Sequence, residues 1–319
     1  MKIMVTGITG LFGSNLARAL VPIGEVHGLK RKESKPDLVS DLASKIIWHE
    51  GDLNDYQSLE DAFSGMDLVV HAGGMVSYDP RDKGKLVKVN VEGTTNVVNV
   101  MLQLGVEKLL HISSVSALGA SPGVALINEE HKWVASPLAT PYGISKYLAE
   151  LEVWRGAQEG LKVMIFNPAV LLGRIADQRS STRLYDYVLQ GNKFYPRGNI
   201  NYLDVRDAAE ILVRIYKSGQ WNQRYILSRE SIPYRVFFEK MARAFQKKAP
   251  SIPVPAGLMG MLLLGVKTYN LLSPQKIPLN KQTMRIAQNR ITFDNRKAEA
   301  LTGFEYTSLE STLAWALGN

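Results

Sequence analysis

A tyrosine and a lysine in the stretch "TPYGISKYLAE" are spaced so that they could transfer a proton. Tyr142 and Lys146 are four residues apart, and on a helix residues at this spacing share a face. A free tyrosine has a pKa of about 10 and is a poor acid–base group at neutral pH. A neighbouring ammonium group stabilises the phenolate and lowers that pKa, so the pair is a candidate acid–base catalyst. The alternative is an ordinary helix start, with Pro141 in the first turn.

Three glycines near the N-terminus form a second candidate site. Gly7, Gly10 and Gly13 have the spacing G-x-x-G-x-x-G, directly after an apolar run and before a helical pattern. Between a strand and a helix, such glycines permit a tight turn, close approach of a pyrophosphate and close helix packing, and the helix N-terminus favours an anion. The pattern therefore predicts a dinucleotide site, and a turn without a ligand is the alternative. A P-loop is excluded because neither Lys-Ser nor Lys-Thr follows the last glycine.

Basic residues at the end of the second predicted strand indicate which dinucleotide would bind. "GLKRKESK" has Lys30, Arg31 and Lys32 where cofactors with a free ribose 2′-hydroxyl usually meet an acidic residue. A guanidinium is planar, permanently charged and able to bind a phosphate through two hydrogen bonds. We therefore expect NADP, with NAD as the open alternative; a solvated charge run is the structural explanation. Asp52 and Leu53, at the end of the third predicted strand, are expected within reach of the adenine ring.

The elements that must position these residues alternate between strands and helices. This alternation favours a parallel sheet covered by helices on both faces. The predicted fold class is α/β, a doubly wound parallel sheet of the Rossmann type with a smaller C-terminal α/β substrate lobe. Residues 1–170 are expected to form the dinucleotide-binding core, and residues 171–319 mainly the substrate-binding lobe, with some segments returning to the core. The predicted strands are "KIMVTG", "EVHGLK", "KIIWHEGDL", "DLVVHAGG", "KLLHISSVSALG" and "LKVMIFNP", and one long helix is predicted over 83–104.

Composition argues against several classes of protein. The 319 residues include no cysteine and five scattered histidines, so neither disulfides nor a metal site is expected. The longest apolar run, 254–266, has 13 residues, fewer than the roughly 20 that a membrane-spanning helix needs. We therefore expect a soluble, cytoplasmic protein, in which this run is a core helix or an apolar wall of the substrate pocket. Residues 161–319 carry a net charge of +12 against −4 for residues 1–160, but no nucleic-acid-binding motif accompanies that charge.

Taken in order, the motifs resemble those of the extended short-chain dehydrogenase/reductase superfamily, the NAD(P)-dependent epimerase/dehydratase group. The likeness covers roughly residues 1–215. The basic end of the second strand, "NPAVLLG" and "NYLDVRDAA" are most similar to the dihydroflavonol reductase-like and 3β-hydroxysteroid dehydrogenase-like branch. The matching segments are "TGITGLFG" (6–13), "HAGG" (71–74), "KVNVEGTTNVV" (88–98), "HISSVSALG" (111–119), "YGISK" (142–146), "NPAVLLG" (167–173) and "NYLDVRDAA" (201–209).

The resemblance implies a hydride transfer in which Ser114, Tyr142 and Lys146 are the catalytic residues. Tyr142 would exchange the proton, Lys146 would also hold the nicotinamide ribose, and Ser114 would hydrogen-bond the substrate oxygen; Ser113 is the competing choice. Asn90 matches a family asparagine whose role is structural or at most a relay. The cofactor-binding residues would be Gly7, Thr9, Gly10, Leu11, Phe12, Gly13, Lys30, Arg31, Asp52, Leu53, His71, Ala72, Gly73, Asn90, Tyr142, Lys146, Asn167, Pro168 and Val170.

The favoured function is an NADP(H)-preferring reductase or dehydrogenase that acts on a ketone, an aldehyde or a secondary alcohol. The substrate would be a small molecule. We expect neither nucleic-acid binding nor a stable membrane span, and a homodimer is one possible oligomeric state. The alternative is an NAD-dependent sugar-nucleotide epimerase or dehydratase. "SSVSALG" argues against a dehydratase, whereas an epimerase could bind its diphosphate through arginines of the second half, namely Arg179, Arg183, Arg197 and Arg206. A cofactor-binding regulator without turnover is disfavoured by the intact Ser/Tyr/Lys set.

Overall fold

A seven-stranded sheet forms the centre of the molecule in the computed structural model, which describes residues 1–121, 123–177, 182–254 and 281–318. The strands of the chain are β1 (Lys2–Thr6), β2 (Glu25–Lys30), β3 (Ile46–Glu50), β4 (Leu68–His71), β5 (Lys108–Ile112), β6 (Leu126–Ile127), β7 (Lys162–Pro168), β8 (Val170–Leu172), β9 (Phe194–Tyr195), β10 (Asn199–Asp204), β11 (Gln223–Leu227), β12 (Glu230–Pro233), β13 (Ile252–Pro253) and β14 (Thr292–Phe293). The central sheet has the order β3-β2-β1-β4-β5-β7-β11, and all its neighbours are parallel. The six predicted strands are confirmed, and β11 is a seventh that the sequence pattern did not identify.

Helices cover both faces of this sheet, as a parallel sheet requires. They are α1 (Leu11–Leu20), α2 (Tyr56–Phe63), α3 (Lys83–Leu86), α4 (Gly93–Leu104), α5 (Pro141–Gln158), α6 (Thr182–Leu189), α7 (Val205–Ser218), α8 (Tyr234–Ala244), α9 (Lys281–Ala287), α10 (Arg296–Thr302) and α11 (Leu309–Ala316). Alternate strand residues point to opposite faces, so Ile3 and Val5 pack with α1 and α7 while Met4 packs with α2, α4 and α5. The fold class predicted from the sequence is therefore confirmed.

The long helix predicted over 83–104 is interrupted by one turn of a different kind. Between α3 and α4 the chain forms a π-helical turn, Val87–Glu92, and α4 ends at Gly105, whose left-handed φ of 68° a glycine adopts without strain. A π-turn inserts an extra residue into a helix and often lies at a functional site. Here it carries Asn90, which is buried.

A third group of buried side chains lies beyond the central sheet. Strands β8, β10 and β12 form a three-stranded sheet in the order β12-β10-β8, and its core is filled by residues of α6, α8 and α11. Since β11 returns to the central sheet, the chain does not divide simply at residue 170, and the two-lobe division stays a prediction. Of the apolar run 254–266, only the buried Val254 is among the described residues. No helix in the described ranges is long and apolar enough to cross a membrane.

Candidate active site

The glycine loop joins β1, α1 and β4 more closely than any other residue type would allow. Gly7 has a φ of +69°, and a Cβ there would come within 2.6 Å of the Gly73 backbone. A Cβ on Gly13 would come within 2.2 Å of the Gly7 carbonyl oxygen. At Gly10 the nearest atom, the same oxygen, would be 3.2 Å away. Gly7 and Gly13 are thus needed for packing, while Gly10 directly precedes the N-terminus of α1, where unpaired N–H groups favour an anion.

The rest of this loop lies over the carboxyl ends of β1 and β8. Thr9, Gly10 and Leu11 are half-buried, and Phe12 belongs to the core. The Leu11 side chain approaches Gly173, where an added Cβ would be 2.5 Å from its Cδ1 atom. Of the predicted cofactor residues in this loop, Gly7, Thr9, Gly10 and Leu11 keep some exposed surface, whereas Phe12 and Gly13 are buried.

The predicted adenosine end of the cofactor site lies at the neighbouring strand ends. Lys30 is the last residue of β2 and is half-buried, while Arg31 is exposed; within the described ranges neither forms an ion pair. The Leu53 side chain fits between Gly73 and Gly93, because a Cβ on either would lie 3.0 or 2.9 Å from it. Its backbone oxygen accepts a hydrogen bond of 2.9 Å from Asn96.

Asp52 fixes the turn that carries Leu53. Its Oδ1 atom accepts a hydrogen bond of 2.9 Å from the Asn54 backbone N–H, so this carboxylate stabilises the loop in which it lies. The Leu53 side chain lies beside Gly73, and its reach to an adenine ring stays a prediction.

His71 and its neighbours form a buried hydrogen-bonded chain beneath the site. Thr94 Oγ1 donates to the Asn90 carbonyl over 2.6 Å and lies 3.0 Å from His71 Nε2. His71 Nε2 therefore carries the proton, and Nδ1 accepts from Thr6 Oγ1 over 2.7 Å. Burial lowers the pKa of His71 to about 3, so the ring is neutral. Both ring nitrogens are used internally; what this strand end can offer a ligand is the backbone at Ala72 and Gly73.

Helix α5, which carries the candidate catalytic pair Tyr142 and Lys146, begins where the sequence predicts. Thr140 caps it by accepting a hydrogen bond of 2.9 Å from the Gly143 N–H. Tyr142 and Lys146 are both about 6% exposed. The Ser114 side chain is close enough to the Tyr142 phenol to lower its pKa, and Lys146 Nζ donates to the Ile112 carbonyl over 2.8 Å. The structure thus brings the three predicted catalytic residues to the carboxyl end of β5.

The expected direction of the tyrosine pKa shift is wrong for the protein on its own. Burial raises the pKa of Tyr142, with a further contribution from Tyr78, while the hydrogen bond from Ser114 lowers it. The physical reason is desolvation of the ring, which disfavours the phenolate. Burial lowers the pKa of Lys146 to about 8, against the opposing influence of Glu150. Tyr142 is therefore protonated at neutral pH and Lys146 is mostly charged.

Of the two serines after β5, Ser114 is the one whose side chain affects the pKa of Tyr142. Its hydroxyl also accepts a hydrogen bond of 3.1 Å from the Ser116 N–H, which starts a short 3₁₀ turn. Ser113 points elsewhere: its N–H donates to the Phe166 carbonyl over 2.8 Å, and its buried hydroxyl has no partner among the described residues. The geometry favours the serine that the sequence comparison prefers.

Asn90 connects the π-turn to the catalytic helix. Its side-chain oxygen accepts from the Met75 N–H over 2.7 Å, and its amide donates to the Met75 carbonyl over 3.0 Å and to Ser145 Oγ over 2.9 Å. Gly74 lies between this amide and Lys146, since a Cβ there would be 3.4 Å from Nζ. Asn90 thus fixes the segment after "HAGG" against α5.

The residues predicted after β7 differ in what they do. Asn167 is fully buried, and its amide donates to the Ser114 carbonyl over 2.9 Å and to Glu150 Oε1 over 2.6 Å. Its side-chain donor is therefore committed to the protein rather than directed at a ligand. Pro168 is buried and Val170 is 37% exposed, so of these three Val170 offers the most side-chain surface.

Two side chains that pack near the candidate catalytic residues, Glu150 and Tyr78, are not identified by the sequence pattern. Glu150, fully buried one helical turn after Lys146, pairs with Arg224 of β11. Its position in the same quoted stretch was an available signal, since a carboxylate four residues after a buried lysine lies on the same face. Tyr78 packs edge-on against Tyr142, with ring centroids 5.8 Å apart, and nothing in the local sequence indicates that contact.

The arginines considered for a nucleotide diphosphate differ in their surroundings among the described residues. Arg206 pairs with Asp204 at 2.6 Å and stacks on Trp315 at 3.9 Å, so it holds the C-terminal segment. Arg183 and Arg197 are exposed, and Arg179 lies outside the described residues. The described ranges hold no cluster of side chains suited to a metal ion.

Comparison with known proteins gives one family and a consistent fold. Residues 3–227 match the NAD dependent epimerase/dehydratase family. The chain is 29% identical over 325 residues to sterol demethylase protein B of Methylococcus capsulatus, covering 99% of this chain and 97% of that one. It is 28% identical over 324 residues to a Synechocystis sp. protein named provisionally as a dihydroflavonol 4-reductase, covering 98% and 92%. A nucleoside-diphosphate-sugar epimerase from Pseudomonas aeruginosa has the same fold, with a TM-score of 0.80, 22% identity and coverage of 99% and 96%.

Proposed function

Because the chain belongs to the NAD dependent epimerase/dehydratase family, whose members use NAD(P), we propose that it is an NADP(H)-preferring reductase of a ketone or aldehyde. The observation that carries this proposal is the convergence of Ser114, a protonated Tyr142 and Lys146 at the carboxyl end of β5. A hydroxyl and a phenol that lie close together can both turn to a substrate oxygen, one orienting it and the other giving it a proton.

The residues around the glycine loop fit a dinucleotide. Gly10 leaves open the approach to the N-terminus of α1, and Lys30 and Arg31 carry charges that no described carboxylate neutralises. Lys146 lies within reach of a ribose at the carboxyl end of β5. When bound, the nicotinamide supplies or accepts the hydride.

Proton transfer is the step that this chain's own residues perform. In the reductive direction the carbonyl carbon gains a hydride and its oxygen gains the phenolic proton of Tyr142. Ser114 donates a hydrogen bond to that oxygen as negative charge develops. The resulting phenolate is stabilised by the ammonium group of Lys146 on the same helix face. A raised pKa suits this direction, because it keeps Tyr142 protonated until the substrate oxygen becomes basic.

The alternative is an epimerase that retains NAD and returns the hydride to its substrate; the Pseudomonas aeruginosa protein of the same fold is named a nucleoside-diphosphate-sugar epimerase. Exposed Arg183 and Arg197 could contact a diphosphate, whereas Arg206 is already paired with Asp204. The arrangement therefore favours the reductase over the epimerase.

One experiment separates the two functions. The purified protein is denatured and its released nucleotide is identified, and a second sample is incubated with NADPH and a panel of aliphatic and aromatic ketones and aldehydes. A reductase releases little nucleotide and oxidises NADPH only when a carbonyl compound is present, as followed by NADPH absorbance. Stoichiometric NAD in the purified protein, together with no NADPH oxidation across the panel, would contradict the proposal.

A further inference from the structure

A buried ion pair lies directly behind the candidate catalytic residues. Glu150 of α5 has no exposed surface, and its carboxylate pairs with Arg224 of β11, whose side chain is 17% exposed. Burying two charges costs free energy that their attraction offsets only when geometry and further hydrogen bonds are favourable. A carboxylate at this depth calls for an explanation beyond stability.

Glu150 is linked to the serine of the site through one side chain. Asn167 donates one hydrogen bond to Glu150 Oε1 over 2.6 Å and another to the Ser114 carbonyl over 2.9 Å. The main chain at Ser114 is therefore fixed relative to α5. Because the Ser114 hydroxyl meets Tyr142, a shift of this carbonyl would misplace the hydroxyl relative to the phenol.

Arg224 extends the same connection to the loop over the site. Its Nη1 atom donates to the Glu129 carbonyl over 3.5 Å, and the Glu129 carboxylate accepts from the Ile226 N–H over 3.0 Å. Glu129 belongs to the segment between the serine and the tyrosine, which also pairs with β14 through β6. The loop, β11 and α5 are thus joined at a single buried pair.

The second neighbour of Glu150 is Lys146, one helical turn earlier on the same face. The titratable groups that interact electrostatically with this ammonium are His71 on β4, His111 on β5 and Glu150 on its own helix. Burial lowers the pKa of both histidines and raises that of Tyr142, so these three are neutral near pH 7. Glu150 is the carboxylate among them.

We infer that Glu150 is a positioning residue that fixes the Ser114 main chain through Asn167 and provides the negative charge that faces the Lys146 ammonium. The inference rests on the proposed role of Lys146 beside Tyr142. Without this carboxylate, desolvation of Lys146 is opposed less, and its pKa falls from about 8 toward lower values. Because the ammonium is the active form, activity is present below that pKa and is lost as the pH rises through it.

The test uses two variants and a matched control. Glu150→Gln removes the charge but leaves Arg224 buried without a counterion, which destabilises a fold strongly. The double variant Glu150→Gln/Arg224→Met removes both charges and restores packing. Glu152→Gln makes the same change two residues along the helix, where the carboxylate pairs with Arg155 at 3.1 Å.

Two readouts distinguish a positioning role from a purely structural one. The first is the NMR titration of Lys146 in protein labelled with ¹³C at lysine Cε, assigned by the signal that Lys146→Arg lacks. The second is the pH profile of kcat and the KM for NADPH. We expect the Lys146 midpoint and the alkaline limb of kcat to move down by about one pH unit or more in both Glu150 variants. KM for NADPH should change little, and the melting temperature should recover in the double variant.

The possible outcomes separate the inference from the proposed function. If Lys146 titrates as in the wild type in the double variant, Glu150 serves only to neutralise Arg224 and the inference is wrong. The same conclusion follows if Glu152→Gln shifts the midpoint as far as Glu150→Gln does. The NMR midpoint needs no turnover, so it tests Glu150 even when no carbonyl compound is reduced.

Discussion

The two ends of the candidate active site are built in different ways. The glycine loop is a run of consecutive residues between β1 and α1, and its packing is completed by the Gly73 backbone. The proton-transfer end gathers side chains from five separate segments, among them Asn90, Ser114, Tyr142, Asn167 and Arg224. The first arrangement is encoded by spacing in the chain, and the second exists only after the sheet has formed.

This difference indicates which kind of substitution each end of the site tolerates. At the glycine loop the added atom matters, because backbone approaches backbone with no space for a Cβ. At the proton-transfer end the removed atom matters, because Asn90, Lys146 and the Asn167 amide donate hydrogen bonds to specific partners. A substitution that forces backbone apart in the glycine loop should reduce stability and cofactor affinity together, whereas removal of the phenolic oxygen at the second end should reduce turnover alone.

Tyr142→Phe should give the largest effect and is the sharpest test of that separation. It removes one phenolic oxygen and leaves a ring that still packs against Tyr78. Loss of a general acid lowers kcat by roughly 100- to 10,000-fold, while the melting temperature and NADPH affinity should stay near the wild-type values. Steady-state kinetics, thermal unfolding and NADPH titration measure the three quantities, and a variant with full turnover would mean that another group donates the proton.

Gly13→Ala changes the glycine-loop end of the site, and its main effect should be a lower free energy of unfolding. The new Cβ would lie 2.2 Å from the Gly7 carbonyl oxygen, so the backbone must shift. Overpacking of this kind costs about 1–3 kcal/mol of unfolding free energy, and the displaced loop should also bind NADPH more weakly. Chemical denaturation and NADPH titration report both losses.

Gly10→Ala is the matched control for this loop. Its Cβ would meet the same oxygen at 3.2 Å, which a displacement of a few tenths of an ångström relieves. We expect wild-type stability with reduced NADPH affinity, because the methyl group would occupy the approach to the N-terminus of α1. Equal destabilisation by the two alanines would contradict the distinction between packing and cofactor contact.

The parts of the fold that sequence predicts well are those in which the signal is local. Strand β4 is a short buried run, α5 begins at Thr140 and Pro141, and Gly105 ends α4. The glycine loop and the Tyr142–Lys146 spacing belong to the same class. Each depends on residues within one turn or one strand, so periodicity and turn chemistry suffice to identify them.

The parts that sequence does not predict depend on contacts between distant segments. The partner of Glu150 is 74 residues away on β11, and no spacing rule connects the two. The predicted direction of the Tyr142 pKa shift is wrong for a related reason: the lysine four residues later is visible in the sequence, but the burial that raises the pKa of the phenol is not. The sequence suggests Arg206 as a ligand for a diphosphate, but in the structure this side chain is paired with Asp204 and stacked on Trp315.

Arg31→Glu gives the smallest expected effect. It tests whether the glycine-loop end of the site also determines the preference for NADP over NAD. Arg31 is exposed and follows the last residue of β2, so the substitution leaves the core intact. Loss of a charged hydrogen bond to a 2′-phosphate costs about 1.5–3 kcal/mol, which predicts a rise in the NADP Kd of roughly 10- to 100-fold. The Kd for NAD, which lacks that phosphate, should stay the same or fall.

Lys35→Glu controls for the change in net charge near this strand end. Lys35 is exposed and lies four residues beyond Arg31, so it alters the long-range field about equally without removing the proposed contact. Isothermal titration of NADP and NAD into the two variants at two salt concentrations separates the cases. A loss of NADP affinity confined to Arg31→Glu supports direct recognition of the 2′-phosphate. If both variants lose NADP affinity equally and the loss disappears at high salt, the basic run acts only through its long-range charge. The proposed recognition of the 2′-phosphate by Arg31 would then be wrong.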